Sequence, residues 1–309
     1  MTAAGRARPA GDELDDVAGW VQRLGALLEA GLEPLRAARS IEDPPAELAA
    51  VAECESPFDV PSRLITAVSA SSGTTRRAWA LLAAAWGVAL ESGAPLAGAL
   101  GRVAESLRSL ADADRQVDLA IAGPVATARI VALLPLLGLG MGMLIGADPL
   151  GVLIGTVPGA LAGLGGVGLL VVGVRWNRRL VAAARVGEPF SGVGSELLAL
   201  ALEGGGTPSN ALALVGETAR RCGVDADLEQ GRQTLAFAQR AGVAVAALLR
   251  ADAARARRLA LAKELRQAAL LGSRLLAPLG LCFLPAFVLL GVVPLVVGIL
   301  RGTLGAFGS

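Results

Sequence analysis

Two long uncharged runs, separated by only two residues, constrain this chain more than any other feature of its sequence. The runs cover residues 130–147 and 150–174, and only Asp148 and Pro149 lie between them. A helix needs about 20 apolar residues to cross the hydrocarbon core of a bilayer. Its backbone groups must also be hydrogen-bonded internally, because lipid offers them no partners. We therefore predict a transmembrane hairpin over residues 124–174.

A third uncharged run covers residues 275–300 and is long enough to span a bilayer with some tilt. It contains Pro278, Pro285 and Pro294, which should kink the helix, as membrane helices tolerate. The predicted fold class is all-α: a polytopic membrane protein with three transmembrane helices and two related cytoplasmic helical bundles.

Basic residues flank these spans unequally. Arginines precede the first span and follow the second, whereas the turn between them has none. Several basic residues precede the third span and only Arg301 follows it. Because positive residues stay on the cytoplasmic side, we place the N-terminus and both polar segments in the cytoplasm, and the C-terminus outside. The predicted location is the cytoplasmic (inner) membrane, with several passes.

The pattern of the polar segments predicts helices separated by glycine and proline. We expect a disordered N-terminus at 1–11, a first helical bundle at 12–122 with a Pro-rich, irregular insertion at 42–61, a second bundle at 175–272, and a short external tail at 301–309. The predicted helices cover 12–29, 34–40, 46–54, 63–70, 74–91 and 96–119 in the first bundle, and 195–202, 208–222, 225–241 and 243–272 in the second.

The two bundles resemble each other in the order of their turns. In each, a Leu-Glu pair is followed by a glycine turn, a proline and a short helix, then by a second glycine turn and a long helix that enters a span with a Leu-Pro pair. The matching steps are 28–34 with 202–208, 90–93 with 239–242, and 134–135 with 284–285. This order predicts an internal repeat.

The twofold pattern L-x-x-G-x-x-P-x-x-A, with a second glycine turn and a proline-containing span, resembles the F domain of type II secretion systems. Among these proteins it is most similar to the inner-membrane platform proteins of tight-adherence (Flp-type) pili, over about residues 14–300. The chain departs from that pattern in the insertion at 42–61 and in the early position of Pro95.

The resemblance implies a platform component that couples a cytoplasmic secretion or pilus ATPase to extraction of pilin or pseudopilin from the membrane. It also implies a paralogous platform protein, membrane lipid and a homo- or hetero-oligomer as partners. The alternative function is a transporter or channel subunit of the cytoplasmic membrane. That alternative would need a polar pathway in the bilayer, and no acidic residue lies deep in any of the three runs.

We expect neither an enzyme nor a cofactor or metal site. The chain has no histidine and no tyrosine, which removes histidine-based acid–base chemistry and histidine metal ligands. Its cysteines, Cys54, Cys222 and Cys282, are isolated. The G-x-G-x-x-G match at 163–168 lies inside an uncharged run, where a dinucleotide site is not expected. A net charge of +1 gives no indication of nucleic-acid binding.

Three further patterns have a structural and a functional interpretation. Glycines recur every four residues in both arms of the hairpin; packing within the hairpin is favoured over self-association or pilin contact. Basic residues at 250–274 would bind anionic lipid in preference to an acidic partner. Acidic residues of the two bundles are interpreted as solvated helix faces: Asp112, Asp114, Asp118, Glu203, Glu217, Asp225 and Asp227.

Overall fold

A computed structural model describes residues 9–71, 73–144, 149–184 and 190–298. In these ranges the chain is helical and contains no β-strand. The turn at Asp148, the tail at 301–309 and most of the predicted N-terminal disorder at 1–11 fall outside them. The chain divides into two compact units, which we call the helical unit (Met1–Gln116 and Glu188–Ala262) and the span unit (Val117–Gly187 and Lys263–Ser309).

The first half of the chain contributes five helices and the start of a sixth to the helical unit. They are α1 (Ala10–Glu29), α2 (Pro34–Arg39), α3 (Ala46–Ala52), α4 (Val60–Ala67), α5 (Gly73–Ser92) and α6 (Leu96–Leu144). Helix α1 forms because apolar residues at three- and four-residue steps line one face and are buried. It begins two residues earlier than predicted, so Ala10 and Gly11 are helical and the predicted disorder at these two residues is wrong. Asp12 and Glu13 lie in its first turn, where negative charge favours the helix dipole.

The second half of the chain adds further helices after α7 (Pro149–Gly155) and α8 (Val157–Ala184) of the span unit. They are α9 (Val193–Glu203), α10 (Pro208–Cys222), α11 (Glu229–Ala241) and α12 (Val245–Pro278). The bounds of α10 are those predicted. Helix α11 begins later than predicted, because the Asp227 carboxylate accepts a hydrogen bond from the Glu229 amide at 2.9 Å and forms a turn before it.

The two polar segments share a single hydrophobic core in the helical unit, where the sequence suggested two bundles. Buried side chains from both halves belong to one cluster, including Trp86 and Leu107 from the first and Leu198 from the second. Helix α5 packs against α1 and α4 from the first half of the chain and against α9 and α10 from the second half. Because α9 is apolar on nearly every face, it needs cover from the first half to be buried.

The Pro-rich insertion at 42–61 is part of this core, although the sequence suggested an irregular segment. Leu48, Val51, Cys54 and Val60 are buried in it. The indole Nε1 of Trp86 donates a hydrogen bond to the carbonyl of Pro57 at 3.0 Å. The segment is fixed by burial of apolar side chains and by this buried polar contact.

The glycine turns that define the internal repeat have a positive φ in both halves. Gly31 (φ +92°) and Gly205 (φ +85°) follow α1 and α9, and Gly93 (φ +78°) and Gly242 (φ +66°) precede α6 and α12. Positive φ is accessible to glycine without a steric penalty. In both halves a proline then begins the next helix, α2 or α10. The repeated turns are therefore present in the structure as the sequence predicted.

The span unit contains the three apolar stretches, and the structure gives three helices that are long and apolar enough to cross a membrane. These helices are Leu96–Leu144, Val157–Ala183 and Val245–Gly298. The prediction of a multi-pass membrane protein is confirmed at this level of length and composition.

The second predicted span is interrupted at Thr156. A Cβ added to Gly163 of α8 would lie 2.8 Å from Leu153 of α7, whereas a straight helix would separate these two residues by about 15 Å. Helix α7 therefore folds back against α8. The Thr156 hydroxyl donates to the carbonyl of Val152 at 2.9 Å and accepts from the amide of Gly159 at 3.0 Å, which satisfies backbone groups freed by the break.

The third span continues α12 without loss of helical backbone. It contains two π-helical turns, Leu279–Phe283 and Val288–Val292, on either side of the short helix α13 (Leu284–Phe287). Pro285 has no amide hydrogen to donate, and wider turns of this kind accommodate such a residue within a helix. The predicted local distortion therefore takes the form of π turns.

Candidate functional site

Helix α9 lies at the centre of the helical unit and carries only two charged residues. Val193–Ala201 is buried apart from Glu196, and Glu203 ends the helix. The two glutamates are seven residues apart, which places them on one face of the helix. A carboxylate in an apolar setting requires a charged or hydrogen-bonding partner, and both glutamates find theirs on the two long helices.

Glu203 joins α6 to α12 through two arginines. Arg102 Nη2 lies 2.7 Å from one of its carboxylate oxygens, and Arg250 Nη1 lies 2.9 Å from the other. Arg102 and Glu203 are about one-quarter and one-fifth exposed, so this pair is partly desolvated. Salt screens ion pairs in such a setting less than fully exposed ones, whose contribution is about 0–1 kcal/mol.

Glu196 makes a second connection between the same two helices. The Ser106 hydroxyl on α6 donates to its carboxylate oxygens at 3.0 and 3.1 Å, and Arg257 on α12 donates to one of them. Ser106 is buried, and the Arg257 and Glu196 side chains are 24% and 22% exposed. We call the six residues the glutamate bridge: Arg102, Ser106, Glu196, Glu203, Arg250 and Arg257.

The order of contacts in the glutamate bridge fixes the direction of the helices. Residues 102 and 106 on α6 pair through 203 and 196 with residues 250 and 257 on α12. Helices α6 and α12 are therefore parallel at this point, and α9 is antiparallel to both. Helix α9 thus contacts both long helices through the same two carboxylates.

Glycines allow α9 to approach its neighbours closely at both ends. Gly192, with φ +85°, lies where a Cβ would come within 2.9 Å of the Ala253 Cα on α12. At the other end, a Cβ on Gly204 would lie 2.0 Å from the Ser92 carbonyl oxygen at the end of α5. Each position therefore excludes a side chain.

Helix α1 ties down the first part of α6 through polar contacts. The Gly11 amide donates to the Asp114 carboxylate at 2.7 Å, and Arg115 pairs with Asp15 at 3.1 Å. The Thr234 hydroxyl of α11 donates a hydrogen bond to the carboxylate of Asp252 on α12. The parts of α6 and α12 that belong to the helical unit are thus fixed by several neighbours.

Four of the seven acidic residues interpreted as solvated faces separate into two groups in the structure. Glu203 and Asp114 form the contacts described above, so a solvated role for them is wrong. Glu217 is half exposed and pairs with Arg220 and Arg221, and Asp112 is exposed and pairs with Arg115. These last three pairs lie on the surface.

A cleft of about 340 Å³ opens between α4, α5 and α10. Phe58, Ile65 and Leu90 contribute apolar surface to it, and an ion pair of Glu91 with Arg221 at 2.9 Å lies among its lining residues. Cys222 also lines the cleft, and burial raises the pKa of its thiol to about 11. A thiol with a raised pKa is a poor nucleophile, so the Cys222 thiol is not activated for attack.

The glycines of the spans pack mainly against the third span or α7. Cβ atoms added to Gly138 and Gly173 would lie 2.9 Å from the rings of Phe287 and Phe283, respectively. Gly155 has nothing within 4 Å, and Gly146 lies outside the described residues. The G-x-G-x-x-G match at 163–168 lies within α8. In the described ranges no three His, Cys, Asp or Glu side chains are placed to hold a metal ion.

The glutamate bridge was not identified from the sequence. A usable signal was present, because two glutamates seven residues apart are the charged residues of an otherwise apolar helix. Their partners lie 47 to 101 residues away along the chain, and local patterns do not identify contacts at such separations. Compared with family models, curated proteins and solved structures, the chain gives no match.

Proposed function

We propose that this protein is an inner-membrane platform component of a type II secretion or tight-adherence pilus assembly machine. In this role it couples a cytoplasmic ATPase to the extraction of pilin or pseudopilin from the membrane, with a paralogous platform protein in the same assembly. The protein itself performs no catalysis. The N-terminus and the helical unit face the cytoplasm, and the C-terminus lies outside.

The observation that carries this proposal is the course of the two long helices. Helix α6 begins among the residues of the helical unit and continues to Leu144 of the first apolar stretch, and the helix that begins at Val245 continues to Gly298. The glutamate bridge holds both helices at their starting segments. A force applied to the helical unit would therefore act on both helices together.

The proposal is supported further by the repeat of glycine turns, which places the same turn ahead of each long helix. Equivalent turns ahead of α6 and α12 would attach both helices to the helical unit in the same way, which would allow a coupling protein to move them as a pair. The resemblance to platform proteins supplies the identity of the partners.

Deletion of the gene should abolish filament assembly or secretion, and the wild-type gene should restore it. A variant carrying E196Q and E203Q should restore it poorly, since each neutral amide weakens the attachment of an arginine to α9. The matched control is E217Q, which removes an exposed carboxylate of the same unit and should restore assembly fully.

Intact filament assembly and secretion in the deletion strain would contradict the proposal. Substrate flux through the purified protein in proteoliposomes would favour the transporter or channel alternative. Reporter fusions at Gly242 and after residue 300 test the orientation: we expect the first on the cytoplasmic side and the second outside.

A further inference from the structure

Exposed arginines cluster at one level of the span unit. They come from α6, α8 and α12, and their side chains are all exposed. We call this set the arginine belt: Arg129, Arg175, Arg178, Arg179 and Arg274.

Packing contacts give the register of α8 against the third span. Cβ atoms added to Gly166 and Gly173 would contact Leu290 and Phe283, respectively. The residue numbers run in opposite directions, so the two helices are antiparallel. Arg178, five residues beyond Gly173, is therefore level with about residue 278 at equal helical rise.

A second pair of contacts gives the register of α6. A Cβ on Gly272 would lie 3.8 Å from the Pro124 ring, and one on Gly138 would lie 2.9 Å from Phe287. These numbers run in the same direction, so α6 is parallel to α12 and its continuation. Arg129 is therefore also level with about residue 278, and the whole arginine belt lies in a layer about 10 Å thick.

The described residues of this layer carry charge of one sign. Among the described residues of the span unit the acidic ones are Asp118 and Glu264, which lie about 15–20 Å from the middle of the layer by the same registers. The belt arginines form no ion pair with any described residue. In the part of the span unit that the structure describes, the layer therefore attracts anions without competition from neighbouring carboxylates.

Apolar side chains adjoin the arginine belt on the side of the spans. Ile130, Val172 and Leu281 are each more than half exposed. Trp176 lies within the belt and is 37% exposed, and tryptophan is enriched where a membrane helix passes through the headgroup region. Arginines in such a position extend their guanidinium groups toward the interface.

We propose that the arginine belt binds the phosphate groups of anionic phospholipids at the cytoplasmic surface of the membrane. Guanidinium groups bind phosphate by charge-assisted, bidentate hydrogen bonds. Arginines from three helices around one layer suit a continuous lipid surface, because exposed apolar side chains lie directly beside them. The cytoplasmic side rests on the proposed orientation, whereas lipid binding itself does not depend on the proposed coupling to an ATPase.

The test uses the full-length protein reconstituted in vesicles that contain brominated phosphatidylglycerol or brominated phosphatidylcholine. Bromine quenches tryptophan fluorescence at short range, and W176F identifies the part of the signal that comes from the belt. We expect a clear preference for phosphatidylglycerol in the wild type. Each arginine near an anionic surface contributes about fivefold to such a preference, so R178Q/R179Q should lower it roughly 25-fold.

The matched control is R220Q/R240Q, which removes two positive charges from exposed positions of the helical unit and should leave the preference unchanged. R178K/R179K keeps the charge and should retain most of the preference. If R178Q/R179Q shows the same preference for phosphatidylglycerol as the wild type, the inference is overturned.

If the arginine variants do not fold, a salt titration of the wild type tests the inference instead. Screening by added salt should reduce the preference for phosphatidylglycerol. A preference that does not change with salt would overturn the inference. Failure of filament assembly in the deletion strain is a separate readout, so the lipid result and the coupling result can disagree.

Discussion

Glu196 and Glu203 illustrate at the scale of single residues how a buried polar contact can select one arrangement of helices. Each carboxylate has partners on both α6 and α12. Loss of a partner leaves a partly desolvated charge, which costs about 1–3 kcal/mol. An alternative register of α9 would lose all these contacts together, so the glutamate bridge specifies the register as well as stabilising it.

Cys222 gives a prediction for alkaline pH. Burial raises the pKa of its thiol to about 11; the positive charge of Arg221 opposes the rise, and the carboxylate of Glu91 adds to it. The folded state therefore holds the thiol proton more tightly than the unfolded chain does. This contribution to stability is complete below the ordinary pKa of 9.0 and is lost as the pH rises through about 11.

Between pH 9 and pH 11 the wild type should therefore lose more thermal stability than C222A, by roughly 1–2 kcal/mol. The measurement is the unfolding temperature in detergent at several pH values. With no tyrosine and one lysine in the chain, few other groups titrate in this interval, and Cys54 is unchanged in the comparison. Parallel curves for the two proteins would contradict the assigned burial.

Helix α8 shows at the scale of elements why two glycines of one span are not equivalent. Gly173 faces Phe283 and Cys282 of the third span, whereas Gly168 has nothing within 4 Å. The sequence marks both as small residues in an apolar run. Their difference depends on which face of α8 meets a neighbour, and the uniformly apolar composition of a membrane helix conceals that face.

We predict that G173L destabilises the span unit by more than about 2 kcal/mol, because the new side chain must displace the Phe283 ring or separate the helices. G168L should change stability by about 0.5 kcal/mol or less. Unfolding of both variants in mixed detergent micelles provides the comparison. Equal destabilisation by the two would show that the packing of α8 against the third span is not as described.

At the scale of the whole molecule, the helical unit is assembled from two distant parts of the chain. Trp86 and Leu198 belong to one core although more than 100 residues separate them. Each part alone would expose the apolar surface that the other covers. Stability of this unit therefore depends on contacts of high sequence separation, which form late in folding.

A chain divided between residues 187 and 188 tests this arrangement. We expect the two fragments, produced together, to copurify, and each fragment produced alone to aggregate or be degraded, because its half of the core is exposed. Copurification after affinity capture of one fragment is the measurement. A monodisperse N-terminal fragment on its own would instead indicate two independent bundles.

Local patterns determined the helices, the glycine turns and the three apolar stretches. An uncharged run of sufficient length has few alternatives to a helix in lipid, and a positive φ favours glycine whatever surrounds it. These features depend on residues close together in the chain, so the order of residues was sufficient to predict them.

Only the tertiary structure decided that the two polar segments share one core, that the second span breaks at Thr156, and that Glu196 and Glu203 join α6 to α12. Each of these outcomes depends on which distant surfaces meet. The free energy of burying an apolar face or a carboxylate depends on the partner that covers it. The sequence contains many arginines and many apolar faces, and it does not show which of them contact each other.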